Sequence, residues 1–179
     1  MTFEIEIIEQ HWLEGCLPEQ DLCSHGRIRL VIGGQVILSD DQNFSVSESA
    51  LALSRTLDTD NSPGDPVAER LIFHGCGTIL MLGCPIGVDW TVRHVPGFVV
   101  IDDITRYETT DPSEALAFRG SPVAVPDEEY SQQIIAFATK AKQLFEGVEK
   151  TFYSDFDREQ YERFWREFDS LLARHGSTG

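Results

Sequence analysis

Lysine and arginine are scarce in this 179-residue chain: 14 of them face 30 aspartates and glutamates, for a net charge of −16. The deficit is spread along the chain. Residues 1–60 carry 3 bases and 11 acids, residues 61–110 carry 3 and 6, and residues 111–179 carry 8 and 13. Nucleic-acid affinity comes largely from basic side chains neutralising phosphates, so so acidic a surface excludes DNA and RNA as expected partners. A basic protein partner, steered in by long-range attraction, is the expectation instead.

Other absences narrow the field further. No apolar run approaches the length of a bilayer span, so no membrane helix is expected. The opening "MTFEIEIIEQ" is acidic and alternating, and it lacks the basic and apolar regions of a secretory leader. Together with four cysteines read as reduced thiols, this predicts a cytoplasmic protein. A Cys-x-x-Cys pair is missing. Cys16 and Cys23 stand seven apart and Cys76 and Cys84 eight apart, neither of which is a zinc-knuckle spacing. A composite site with His25 and His74 would need two distant loops to meet, so no metal and no cofactor are expected. "HGCG" at 74–77 has glycines but no following Gly-Lys-Ser/Thr, and a strand pattern rather than a helix comes after it, which excludes a phosphate-binding loop. Cys76 or Cys84 beside His74 or His94 has the makings of a thiolate–imidazole pair, but residues this near in sequence seldom meet as a dyad; structural thiols are the expectation.

Aromatic and aliphatic residues are plentiful enough for a core: 41% of the chain is hydrophobic, and 11 residues are Phe. Phe3, Ile5 and Ile7 alternate with Glu4 and Glu6, the period of a half-buried strand. Residues 11–24 lack a period and read as a loop. Strands are predicted at 27–32 and 35–38 with Gly33-Gly34 as a tight hairpin turn, because both turn residues can take positive φ. Val46, Ala50, Leu53 and Leu57 then fall on one helical face near 46–58, with Ser45 and Glu48 spaced as a capping box. "NSPGDP" at 61–66 is a loop and 67–73 is ambiguous. Strand patterns follow at 78–83, 86–95 and 98–104, with weaker ones at 115–119 and 122–125.

The last third changes period. Tyr130, Ile134, Phe137, Ala138, Ala141, Leu144, Phe145 and Val148 form one apolar stripe. Tyr161, Phe164, Trp165, Phe168, Leu171, Leu172 and His175 form another. These predict amphipathic helices near 127–148 and 156–175, the second capped by Asp155 or Asp157 and anchored by Trp165 and Phe168. The whole, 1–179, reads as a single α+β domain: a strand-rich part to residue 125, a largely antiparallel sheet, one early helix and two C-terminal helices packed on it.

Two places are candidates for function. On 86–95, Ile86, Val88, Trp90, Val92 and His94 share the apolar face and predict a core tryptophan and a core histidine. Asp89, Thr91 and Arg93 share the other face. Proline cannot take the positive φ of a primed turn, so Pro96-Gly97 predicts a loop of three or four residues. Four would set Arg93 opposite Val100 and Thr91 opposite Asp102; three would bring in Asp103 instead. Asp89 with Asp102 or Asp103 is the best candidate for acid–base or Mg²⁺ work, although Arg93 beside them suits a cross-strand ion pair on a solvated face. The other place is the loop with Trp12, Glu14, Glu19 and Asp21, either a binding loop or a strap packed over the sheet edge. The leading functional expectation is a non-enzymatic acidic protein-binding module that masks a basic partner, as an immunity or inhibitor protein covers a toxin. The alternative is a small-molecule binder or enzyme using the carboxylates of 86–95 and 98–104. No catalytic residue and no oligomeric state follow from the sequence.

Overall fold

The structure, a computed structural model, describes residues 3–39, 42–63, 70–74, 85–120 and 122–176. The strand predicted at 78–83, and Cys76 and Cys84 with it, lie outside the described residues. The fold is α+β, with antiparallel strands, one early helix and two later ones.

Strands β1 (Phe3–His11), β2 (His25–Ile32) and β3 (Gln35–Leu38) pair in that order, and β4 (Asn43–Ser45) joins β2 beside β3. The β2–β3 turn is Gly33-Gly34 as expected, at φ 59° and 80°. Both signs are those of a primed hairpin turn, which a side chain at Cβ would resist. A second sheet runs β5 (Ile72–Phe73), β6 (Gly87–Val95), β7 (Phe98–Tyr107) and β8 (Leu116–Ala117), with β9 (Val123–Pro126) also on β7.

Helix α1 (Val46–Arg55) is buried along residues 46–54, not on one face only. It is wedged between the other helices and strands, so its serines need internal partners. Ser24 and Ser47 bond each other reciprocally, each amide to the other's hydroxyl, at 2.9 and 3.1 Å. Ser54 Oγ donates to the Ala50 carbonyl. Ser45 is the N-cap, but its hydroxyl donates to the Glu48 carboxylate rather than accepting a helix amide, so the two side chains meet without capping the helix as the box would.

Helix α2 (Asp127–Gln143) ends before residue 148, in a turn that Gly147 closes at φ 75°. It covers the free edge of β1. Lys140 Nζ donates to the Ile7 carbonyl at 2.7 Å, Gln10 Nε2 donates to the Ala141 carbonyl, and Gln133 Oε1 accepts from the Ile5 amide. An open nine-residue edge would otherwise template pairing with another chain. Helix α3 (Asp155–His175) is capped by Ser154, not by Asp155 or Asp157: Ser154 Oγ accepts from the Asp157 amide and donates to its carboxylate. Both sheets and all three helices feed one cluster of buried side chains around Phe3, Trp90, Tyr130, Ile134, Phe164 and Phe168.

Two expectations for the β6–β7 hairpin are corrected. Its loop has two residues, with Val95 paired to Phe98. Gly97 stands at φ 80° after Pro96, the proline-then-glycine order of a type II turn, which needs no positive φ at proline. Two- and four-residue loops share one pairing parity, so Arg93 still faces Val100 and Thr91 still faces Asp102. His94 is not a core histidine. The hairpin tip outruns the core there, and the ring is exposed with Nδ1 2.9 Å from Asp60 Oδ1. Trp90, four residues earlier on the same face, is fully buried as expected.

Candidate protein-binding face

His11 ends β1, and residues 12–24 then cross to β2 without regular structure. What orders this loop is the segment that follows α2. Lys150 Nζ donates to the carbonyls of Pro18 and Asp21, both at 2.6 Å, and lies 3.7 Å from the centroid of the Trp12 ring. The Thr151 amide donates to the Glu19 carbonyl at 2.8 Å. Trp12 meets Phe145 edge-on at 4.7 Å, and Phe145 meets Trp165 likewise at 4.7 Å, so an aromatic series links the loop to α3. Burial lowers the Lys150 ammonium to about 8 against the opposing pull of Asp21 and other nearby groups.

Asp21, expected beside Glu14 and Glu19 on the acidic surface, is buried, with 4% of its surface exposed. Its carboxylate accepts from the amides of Leu13 at 2.7 Å and Cys23 at 3.1 Å, and stands 3.4 Å from His25 Nε2. Burial alone would raise its pKa, but the adjacent His25 and the hydrogen bonds from the Leu13 and Cys23 amides outweigh that and lower it. Asp21 therefore holds the loop in shape and does not face a partner.

The surface of this end is different. Among the described residues, the three most exposed large apolar side chains are Tyr153 (81%), Phe156 (67%) and Leu17 (60%), with Leu13 nearby in the loop. Leu17 and Tyr153 lie within two residues of the bonds joining Pro18 and Glu19 to Lys150 and Thr151. Around them Glu14, Glu19, Glu146, Glu149, Asp155 and Glu159 are exposed. In residues 12–24 and 145–160 the only bases are Lys150, held as above, and Arg158, which reaches Asp155 at 3.9 Å. Exposed apolar side chains in segments this rich in exposed acids combine the two parts of an interface, apolar anchor and polar rim.

The second candidate place comes apart. Asp89 is buried; its Oδ1 accepts from Asn61 Nδ2 and from the Trp90 amide, each at 3.0 Å. Desolvation raises its pKa despite those bonds and the favourable charge of Arg70. Arg70 is itself buried, 3.4 Å over the Tyr107 ring and bonded through Nε to the Pro85 carbonyl. Arg93 is exposed.

Asp102 lies elsewhere, beyond a bulge. Asp89 pairs with Thr105 but Thr91 with Asp102, so Asp103 and Ile104 together face Trp90. Asp103 takes φ 51°, and this one-residue reset lets both Ile101 and Ile104 enter the core while both aspartates stay out of it. Asp102 and Asp103 line a cavity of about 380 Å³ with Arg119, Gly33 and Val123, where the two sheets meet. Thr91 Oγ1 donates to Asp103 at 3.1 Å.

Sequence reasoning missed Lys150, Tyr153, Phe156 and Arg70. Tyr153 and Phe156 flank the start of a helix whose stripe begins at Tyr161, and their departure from that stripe was the available signal. Among the described residues no group of three His, Cys, Asp or Glu side chains is arranged to hold a metal, and no helix is long and apolar enough to cross a membrane. Comparison with known proteins finds no family model, no curated protein and no solved structure that matches the chain.

Proposed function

We propose that this chain is a non-enzymatic, acidic binding module of the cytoplasm that masks a basic protein, using the face formed by residues 12–24 and 145–160. The observation that carries the reading is Tyr153, Phe156 and Leu17 standing exposed among six exposed acids with few bases. Aromatic side chains are favoured as interface anchors, and burying them on a partner removes apolar area from water. The acidic rim selects a basic partner and speeds its arrival, while it repels nucleic acid. The comparison is with the way an immunity or inhibitor protein covers a basic toxin. An affinity pull-down from the native host, run in parallel with wild type and a Leu17→Asp/Tyr153→Asp variant, tests this. A basic protein retained only by the wild type supports it. A partner that is acidic, or that binds both forms alike, overturns it.

A second reading has its own observation: Asp102 and Asp103 line a concave cavity rather than a flat sheet face. Pockets with a few convergent polar groups suit small molecules. A ligand screen by thermal shift separates the two, since a hit whose effect vanishes in Asp102→Asn/Asp103→Asn belongs to this cavity.

A further inference from the structure

Beside the proposed binding face, a groove of about 510 Å³ opens between the end of α2 with the turn after it and the middle of α3. Its apolar lining is entirely aromatic: Phe145, Tyr161 and Trp165. Phe145 and Trp165 meet at 62° and Tyr161 and Trp165 at 66°, ring centroids 4.7 and 6.1 Å apart. Glu146, in the turn after α2, and Glu162, on α3, are both exposed at its rim. Asp169 also lines it but is bonded across the helices by Lys142 at 2.6 Å.

We propose that this groove seats an arginine side chain of the basic partner. The inference rests on the reading of the adjoining 12–24/145–160 face as the partner's docking surface. Aromatic rings attract cations to their faces, the more so when water is partly excluded. The same aromatic series already holds one cation: Lys150 Nζ lies 3.7 Å from the Trp12 centroid and 4.9 Å from that of Phe145. An aliphatic side chain entering the groove would strip water from Glu146 and Glu162 without replacing its hydrogen bonds, at a cost. A cationic tip satisfies both carboxylates instead. Arginine fits better than lysine, because its planar guanidinium stacks on rings and presents paired donors to a carboxylate, and its stem covers the apolar floor. Arg166, exposed at the same rim, is a like charge that weakens the site.

The chain has three tryptophans, so three indole N–H signals report on it: Trp12, Trp90 and Trp165. Titration with N-acetyl-arginine amide at low salt is expected to move the Trp165 signal saturably and leave the buried Trp90 signal in place. The uncharged citrulline analogue is expected to do nothing, and the lysine analogue to bind more weakly. Glu146→Gln/Glu162→Gln, two exposed isosteric changes, should weaken the arginine compound about tenfold or more, the equivalent of one lost charge contact. Arg166→Ala should strengthen it. No saturable movement, or equal movement by citrulline or lysine, overturns the proposal. With the whole partner, a complex lost in Leu17→Asp/Tyr153→Asp but unchanged in Glu146→Gln/Glu162→Gln keeps the binding face and sinks the groove. An arginine compound that binds the groove while no basic protein binds the face sinks the reading of the face instead.

Discussion

Lys150 Nζ lies 3.7 Å from the centre of the Trp12 ring and donates to two carbonyls on the far side of the loop that Trp12 begins. One side chain, 138 positions later in the chain, thus holds a segment with no regular structure of its own. A charged donor to two carbonyls is stronger than a neutral one, though its half-exposed position tempers the effect.

Lys150→Met should therefore loosen the loop more than the domain. The expected cost is roughly 1–3 kcal/mol in urea unfolding. Amide exchange should accelerate at Leu13 and Cys23 while the Ile28 and Leu30 amides stay protected. Uniform acceleration across all four would show that the loop and sheet open as one unit.

Charge reversals should separate two kinds of acid. Glu14→Lys and Glu19→Lys lie on the surface and should change stability by no more than about 0.5 kcal/mol. With a basic partner they should lower the association rate, with a weaker effect as salt rises. Asp21→Lys should unfold the protein, because it replaces the acceptor of the Leu13 and Cys23 amides with a buried cation. Stopped-flow association and circular dichroism read the two effects. An Asp21→Lys protein with wild-type stability would remove Asp21 from its structural role.

Acid should act through the same residue. The Asp21 carboxylate has a folded pKa below its unfolded value, so its stabilisation is fully present above the unfolded pKa, about 4. It is lost as pH falls through the folded pKa. Asp21→Asn should accordingly show a smaller loss of stability than wild type as pH falls below about 4, measured by urea midpoints at each pH. Parallel curves for the two proteins would contradict this.

On α3 the two aromatic anchors should differ. Phe168 is fully buried, so Phe168→Ala should cost about 3–5 kcal/mol. Trp165 is only half-buried and packs at the edge of the core, so Trp165→Ala should cost less. Thermal midpoints of the two variants rank them directly.

The alternation of Phe3, Ile5 and Ile7, the Gly33-Gly34 pair and the stripes from Tyr130 and Tyr161 made the strand, hairpin and helix assignments legible, because each depends on neighbours within a few residues. Of the two loop lengths left open between β6 and β7 neither is the observed one, but the four-residue alternative carries the pairing of Arg93 and Thr91 found here, since parity survives a two-residue change. Asp89 and Asp21 behaved otherwise. Nothing near them in sequence announces burial: Asn61 and Arg70 come from separate segments to cover Asp89, and Asp21 is enclosed by Leu13, Cys23 and His25 after the loop folds back under Lys150. Sequence alone thus determined the charge and the periods of the elements, which are local or summed properties. The tertiary structure decided which acids face water and which aromatic residues stand exposed, because burial depends on what distant segments bring to the same place.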